Sequence, residues 1–399
     1  MKKDILARVK RATELTRAGR LADATTLIQG ALAGAAPRAT TTAAEATPLD
    51  EVIEGDYVEI DDARDTPNSA ALAASAEHTT PHAGRVKQFL RKWRRDAPAA
   101  QTPTASSDPR AAGAFVSGQH ANAVGGRAYK LYVPSSYVDG HSLPLIVMLH
   151  GCTQGPDDFA AGTQMNTVAE EQRCFVLYPE QSAAANQSRC WNWFRREDQV
   201  RDRGEPAIIA GMTLEIAERY GIDPRRTYIA GLSAGGAMAA VMAVTYPELF
   251  AAVGIHSGLA CCSAHDLPSA LAAMRGMPTA DPGAAPYHAT PTIVFHGDHD
   301  KTVHPRNGAD VIARSAHHEG GPGGQVSSER GQAPGGHAYT RAVHRDAAGR
   351  VLLEHWLVHG GGHAWFGGSR AGSYTDAKGP NASVEMVRFF LSGRGEAER

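Results

Sequence analysis

The apolar positions of the chain follow two regimes that meet near residue 109. Downstream of it, short apolar runs of the kind that make strands alternate with longer stretches whose apolar residues recur at helical spacing. The runs predict strands over residues 113–118, 128–133, 144–150, 174–178, 226–230, 251–256, 291–296 and 351–358. Helices are predicted near 164–172, 205–220, 234–246, 262–275, 305–316 and 382–391. Strands alternating with helices define an α/β domain with a mainly parallel central sheet flanked by helices. Two strands precede the first helix, which fits an antiparallel edge, and no internal repeat is evident.

Upstream the pattern weakens. Residues 4–33 predict two short helices broken at Gly19, one carrying Ile5, Val9 and Ala12, the other Leu21, Ala24, Leu27, Ile28 and Ala31. Residues 34–84 are rich in Ala, Thr, Pro and acidic groups without periodicity and read as a disordered linker. Residues 85–95 place Val86, Phe89, Leu90 and Trp93 on one helical face, with six cations elsewhere on the segment. Such a helix suits an anionic or amphiphilic surface, and equally suits packing on the downstream domain with its basic face solvated. The chain thus divides into a helical segment (1–33), a low-complexity linker with the basic amphipathic helix (34–108) and an α/β domain (109–399).

Composition narrows the function classes. The 399 residues are 42% hydrophobic, enough for a sizeable core, and the formal charge of −2 gives no global reason to expect a nucleic-acid partner. The first residues are positive, but charges interrupt the apolar positions before a signal-peptide core can form. No apolar run approaches the roughly 20 residues needed to cross a bilayer, so the expected location is the cytoplasm. The five cysteines, Cys152, Cys174, Cys190, Cys261 and Cys262, contain no C-x-x-C pair. That argues against a zinc site and a complete disulfide framework, and in a reducing cytoplasm most should be thiols. Cys174, inside a predicted strand, reads as a small buried hydrophobe.

The candidate chemistry lies at strand ends. Residues 231–235 read Gly-Leu-Ser-Ala-Gly between a predicted strand and a predicted helix, the context of a nucleophile elbow, which makes Ser233 the candidate nucleophile. The strand over 144–149 runs into His150-Gly151-Cys152-Thr153, where a backbone N–H can serve an oxyanion. Cys152 and Ala234 are assigned as the oxyanion-hole donors, Thr153 being the alternative to Cys152 and His150 a residue that stabilises the loop. The strand ending at Phe295 leads into a loop with Asp298 and Asp300. Asp300, farther into the loop, is favoured to orient the catalytic imidazole, while Asp298 caps or braces the turn. That imidazole is His363, in the Gly-rich loop after the last strand. A second Gly-Gly-His-Ala places His337 before a strand and after a Gly/Pro-rich loop, and reads as surface structure. Nucleophile, acid and histidine occur in the order expected for acyl transfer through a Ser-His-Asp triad, which needs no cofactor and no metal. His296, Asp298, His299 and Asp300 superficially offer metal ligands, but they crowd one loop and no distant cluster completes them.

With these residues in view, the chain resembles the polyhydroxybutyrate (PHB) depolymerase family of esterases, related to feruloyl and acetylxylan esterases. The matching stretches are Leu-His-Gly-Cys-Thr-Gln at 149–154, Cys-Trp-Asn-Trp-Phe at 190–194, Gly-Leu-Ser-Ala-Gly-Gly at 231–236 and Gly-His-Ala-Trp at 362–365. The resemblance implies an α/β-hydrolase fold and hydrolysis of ester bonds in a poly- or oligo(3-hydroxyalkanoate) such as PHB. It also implies that Trp191, Trp193 and Trp365 line the substrate cleft and that Cys152 and Cys190 form a disulfide beside the oxyanion hole. From the residues alone, the three tryptophans serve equally well as core anchors. Secreted members carry a signal peptide and a polymer-binding module, and neither is visible here. The chain therefore looks more like an intracellular relative acting on amorphous storage granules or soluble oligomers, with the granule surface as a further partner. A carboxylesterase for feruloyl, acetyl or other short esters would share every catalytic residue. A granule-coating protein without catalysis, anchored by the basic helix, is the non-enzymatic alternative.

Overall fold

The computed structural model describes residues 113–277, 290–317 and 325–392. The helices expected within 4–33, the linker and the basic segment 85–95 lie outside the described residues. Strands β1 (Ala114–Asn122) and β2 (Gly125–Val133) form an antiparallel hairpin closed by a two-residue turn. The apolar runs that follow become β3 (Leu145–Leu149), β4 (Phe175–Pro179), β5 (Thr227–Leu232), β6 (Ala252–His256) and β7 (Thr292–Gly297), and every residue in them is buried. Unbroken apolar sequence of this kind suits parallel strands covered on both faces. Three further strands, β8 (Gln325–Gln332), β9 (Ala338–Arg345) and β10 (Val351–Val358), complete one sheet of order β1-β2-β4-β3-β5-β6-β7-β10-β9-β8. The run β4 to β10 is parallel, and the strands outside it are antiparallel.

Alternate residues of each central strand feed two cores. Leu145, Val147 and Leu149 of β3 join Ile229, Val253 and Val294 on one face, where α3 (Gly204–Arg219), α4 (Ala234–Thr245), α5 (Leu267–Met274) and α6 (Arg306–His317) contribute Ile209, Met238, Ala270 and Val311. Ile146 and Met148 of β3 join Tyr228, Ala230 and Phe295 on the other, against Phe159 of α1 (Pro156–Thr163), Val168 of α2 (Met165–Gln172) and Phe390 of α7 (Ala382–Ser392). The period-2 alternation of strand side chains thus produces a three-layer α/β/α domain.

Four elements depart from the sequence expectation, among them β9, which the predicted strands leave out although His337 reads as preceding a strand. Helix α1 was not expected; here Pro156 occupies the first helical turn and the two aspartates face the positive end of the helix dipole. The helix expected from residue 262 begins only at Leu267, where Asp266 and Ser269 form a capping box. Strand β8 carries no apolar alternation and is exposed along its length, so only its pairing with β9 makes it a strand.

The far side of the sheet is locked by a buried charge. Glu354 of β10, fully buried, accepts hydrogen bonds from Arg341 of β9 at 2.9 Å, Arg388 of α7 at 2.6 Å and the Trp356 indole at 3.2 Å. Removing one member of a buried ion pair strands its partners. Glu354→Ala should therefore cost about 3 kcal/mol, near the lower end of the usual range because both guanidiniums keep a path to water. Chemical denaturation of the variant checks this, and a loss below about 1 kcal/mol would show that the cluster is not a structural lock.

Candidate active site

The parallel register brings four loops to one edge of the sheet. Leu149 pairs with Gly231, Leu232 with His256, His256 with Phe295 and Gly297 with Val358. The segments that follow β3, β5, β7 and β10 therefore begin at nearly the same level, and they carry Cys152, Ser233, Asp300 and His363.

Ser233 is the junction between β5 and α4. Its backbone has φ 58 and ψ −118, a positive-φ conformation that few residues with a side chain adopt, and its N–H donates to the His256 carbonyl at 2.9 Å. The flanking glycines are required by space. A Cβ on Gly235 would lie 2.0 Å from the Leu149 carbonyl oxygen, and one on Gly231 would lie 2.3 Å from the Gly235 carbonyl carbon. The strained serine survives because the packed backbones around it leave no alternative.

Asp300 and His363 meet. The Nδ1 of His363 lies 2.7 Å from Oδ2 of Asp300, while Oδ1 accepts the backbone N–H groups of Thr302 at 2.9 Å and Val303 at 2.8 Å. Burial by itself would raise the carboxyl pKa. The neighbouring His296 and His363 imidazoles and the Val303 N–H outweigh it and hold Asp300 well below the ordinary carboxylate range. Asp298 goes elsewhere, bonding the His359 ring at 2.9 Å and the Gly360 N–H at 2.7 Å, so it ties the β7 loop to the β10 loop. His337 bonds Asp376 at 2.9 Å, which fixes it to the short strand Thr375–Asp376. Of the four residues that superficially offered metal ligands, three are committed individually, His296 to the Val303 carbonyl, Asp298 to His359 and Asp300 to His363, while the His299 ring is largely exposed.

The loop after β3 is shaped by its bonds. Thr153 donates its N–H to the Ser188 carbonyl at 2.7 Å, which removes it as an oxyanion donor. The N–H groups of Cys152 and Ala234 donate to no acceptor among the described residues. Cys152 is bridged to Cys190, as the family resemblance implied, so the expectation that most cysteines are thiols holds for Cys174, Cys261 and Cys262. Burial pushes Cys174 up to about 12, leaving it unreactive at neutral pH.

The tryptophans expected at the cleft are core anchors. Trp191 and Trp365 are 0% and 1% exposed, and Trp193 only 5%, which leaves almost no ring surface for a ligand. Trp191 donates to the His150 carbonyl at 3.1 Å, and Trp365 stacks on His256 and donates to Ser383 at 3.1 Å. A supporting network escaped the sequence reading. Buried Glu205 of α3 accepts from the Asn192 N–H and side chain, both at 2.7 Å, and from Gln181, whose own N–H donates to His150 Nε2 at 3.1 Å. Gln154 accepts the Gly151 N–H at 2.9 Å and donates to Asp158 at 2.8 Å. Gln154 lies in the conspicuous 149–154 stretch. Glu205 had no local signal, because its partners come from distant parts of the chain.

These contacts require His150 to be neutral, and burial lowers its pKa from an ordinary 6.5 to about 4. A depressed histidine gives stability that is complete above the ordinary value and is lost as pH falls from about 6.5 toward 4, here by roughly 3 kcal/mol. Asp198 and Glu205, raised chiefly by burial, bias stability the opposite way, so the contrast with a variant isolates the histidine. The stability gap between the native chain and His150→Gln should narrow by about that amount between pH 7 and pH 4. A gap that stays constant across this window in parallel denaturation curves would mean that His150 is not held neutral.

Comparison with known proteins matches this architecture. Residues 127–320, just under half of the chain, match the family model described as esterase PHB depolymerase. Poly(3-hydroxyalkanoate) depolymerase C of Paucimonas lemoignei is 32% identical over 232 residues, covering 55% of this chain and 54% of the relative. Poly(3-hydroxybutyrate) depolymerase of Ralstonia pickettii is 27% identical over 281 residues, covering 63% and 56%. The chain thus spans little more than half the length of either relative. Among solved structures, an acetyl xylan esterase from Aspergillus awamori superposes with a TM-score of 0.52 at 22% identity, covering 62% of this chain and 94% of that one, which is a likeness of fold. No helix among the described residues is long and apolar enough to cross a membrane. The three-layer fold, with Ser233 at the carboxyl edge of its sheet, is thus accompanied by sequence similarity over residues 127–320 to the family described as esterase PHB depolymerase.

Proposed function

We propose that the chain is a serine ester hydrolase that cleaves a poly- or oligo(3-hydroxyalkanoate), with poly- or oligo(3-hydroxybutyrate) as the leading candidate. Ser233 is the nucleophile, His363 the base, Asp300 its orienting acid, and the Cys152 and Ala234 N–H groups are the oxyanion donors. The observation that carries this reading is the 2.7 Å contact between His363 Nδ1 and the buried Asp300 carboxylate. With Nδ1–H donating to an ionised carboxylate, Nε2 keeps its lone pair and is the atom available to take the serine proton. Ser233 Oγ attacks the ester carbonyl, and charge gathers on the oxygen facing the two N–H groups. His363 then returns the proton to the departing hydroxyl of the next 3-hydroxyacyl unit. Water repeats the sequence and releases the acid.

The substrate class rests on the family and on the two depolymerases it resembles. A cleft of about 740 Å³ opens beside the oxyanion loop, touching it at Thr153 and lined by Lys130, Asp157, Glu180, Arg189 and Ser373. Ser233, Asp300 and His363 do not line this cleft, so it does not choose the substrate. A second reading, hydrolysis of acetyl or feruloyl esters on a sugar, is supported by sequence similarity to acetylxylan and feruloyl esterases. Relative rates on amorphous polyester, short oligoesters, and feruloyl and acetyl esters decide between the two. The disulfide supports an oxidising compartment in place of the reducing cytoplasm expected above, since such bridges persist where the milieu is oxidising.

Ser233→Ala and His363→Ala should each lower ester hydrolysis by several orders of magnitude while the fold is kept, and His337→Ala should not. An inactive His337→Ala beside an active His363→Ala overturns the assignment. For Cys152 the N–H matters and the thiol does not. Opening a bridge that closes a 38-residue separation costs roughly 4 kcal/mol by loop entropy, so Cys152→Ala should melt earlier yet turn over within about tenfold of the native rate. A folded Cys152→Ala as inactive as Ser233→Ala would assign the thiol a chemical role.

A further inference from the structure

Cys261 and Cys262 are neighbours in the loop between β6 and α5 and take no part in the Cys152–Cys190 bridge. Their sulfurs lie 3.1 Å apart, in hydrogen-bond contact. Cys261 is buried and Cys262 half-buried, and Cys262 has φ 61, a left-handed conformation uncommon for a residue with a side chain. Arg314 of α6 reaches the Cys261 carbonyl at 3.4 Å. Two thiols held together by a constrained backbone, one of them open to solvent, form a built pair.

We propose that Cys261 and Cys262 are a redox site at which a hydroperoxide closes a vicinal disulfide and thereby slows turnover at Ser233. In the first step the Cys262 thiol gives up its proton and the thiolate attacks one peroxide oxygen, the O–O bond breaks, a sulfenic acid forms, and the departing hydroxide or alkoxide takes up that proton and leaves as water or an alcohol. In the second, the Cys261 sulfur attacks the sulfenic sulfur, the S–S bond forms, and the departing hydroxide takes the Cys261 proton and leaves as water. The two thiols lose two electrons and two protons in all, and the hydroperoxide is reduced. The roles follow the local chemistry. The hydrogen bond from Cys261 lowers the Cys262 thiol to about 7, against the opposing effect of burial and with help from the Arg314 cation. The same hydrogen bond, followed by burial, raises Cys261. Adjacent Cα atoms sit only about 3.8 Å apart, less than the roughly 4.4 Å that most disulfides need, so the closed ring is strained and readily reduced. Reversibility follows.

The coupling to turnover runs through packed backbone and rests on the assignment of Ser233 as nucleophile. The Ser233 N–H is bonded to the His256 carbonyl, five residues before Cys261. A Cβ on Gly258 would lie 2.9 Å from the Gly236 carbonyl carbon and 3.0 Å from the Ala237 nitrogen, so this segment rests directly on the first turn of α4. Closing the ring reshapes residues 261–262 and displaces what is packed on the elbow.

The test treats the full chain with hydrogen peroxide and maps its peptides under non-reducing conditions, with soluble-ester turnover measured in parallel. The expected result is a Cys261–Cys262 peptide lighter by two hydrogens, and a turnover at least about threefold lower that a dithiol restores, a modest share of the roughly 100-fold that an ångström of misplacement can cost. Cys262→Ser should match the untreated rate and ignore peroxide. Over-oxidised Cys262 without a crosslink, or an equal peroxide loss in Cys262→Ser, overturns the site. A crosslink with unchanged turnover overturns the coupling. Because the mass change is read without reference to hydrolysis, failure of the redox site is distinguishable from failure of the hydrolase reading.

Discussion

The architecture of the site depends on the contact between Gly235 and the carbonyl of Leu149. There the backbone of the elbow lies against the end of the neighbouring strand with no room for a single added carbon. Because β3 and β5 run parallel and in register, this contact fixes the height of Ser233 relative to the loop holding Cys152, and it leaves the serine in its strained conformation. Everything else at the edge is arranged around a point that cannot shift. A fold covered by helices on both faces is well suited to this, since burial of the flanking strands resists the relaxation that a strained backbone would otherwise undergo.

The charges at the site obey a related constraint. A buried carboxylate is tolerated when its lone pairs are filled, and Asp300 is served by two backbone N–H groups and two imidazoles. Its neighbour Asp298, two residues away, is paired instead with His359, whose ring also meets Thr340 of β9. Glu205 performs the equivalent service on the other flank, linking Asn192 and Gln181 behind the bridged cysteine. The elbow is thus braced by polar anchors on both sides, while the tryptophans fill space between them.

What the sequence made legible, and what it hid, follows from the range of the signals. The central strands are buried on both faces, so their apolar runs announce themselves, and the Gly-x-Ser-x-Gly pentapeptide carries its own steric logic. Strand β8 is polar and exposed, and only its hydrogen bonds to β9 define it, which leaves no trace in composition. The start of α5 was misplaced because Cys261 and Cys262 look like helix-compatible apolar residues, whereas the true boundary is set by the Asp266 cap. The tryptophans illustrate a different limit. An aromatic ring near a site loop is chemically suited to ligand contact and to core packing alike, and the choice depends on which neighbours cover it. Glu205 lay beyond reach for the same reason, since its partners converge only in the folded chain.

The sheet order also fixes when the site comes into being. Ser233 is in place once β3, β5 and β6 have paired, but the Asp300–His363 contact waits for β10, the last strand of the sheet to be synthesised, to insert between β7 and β9. Long-range parallel pairing of this kind is slow to form and must repay the entropy of closing the intervening chain. On a chain growing from its amino end, the elbow is complete once β6 ends at His256, and the Asp300–His363 contact follows only after residue 363. That contact forms only when β10 docks, and a chain that stalls short of it lacks the Asp300–His363 pair.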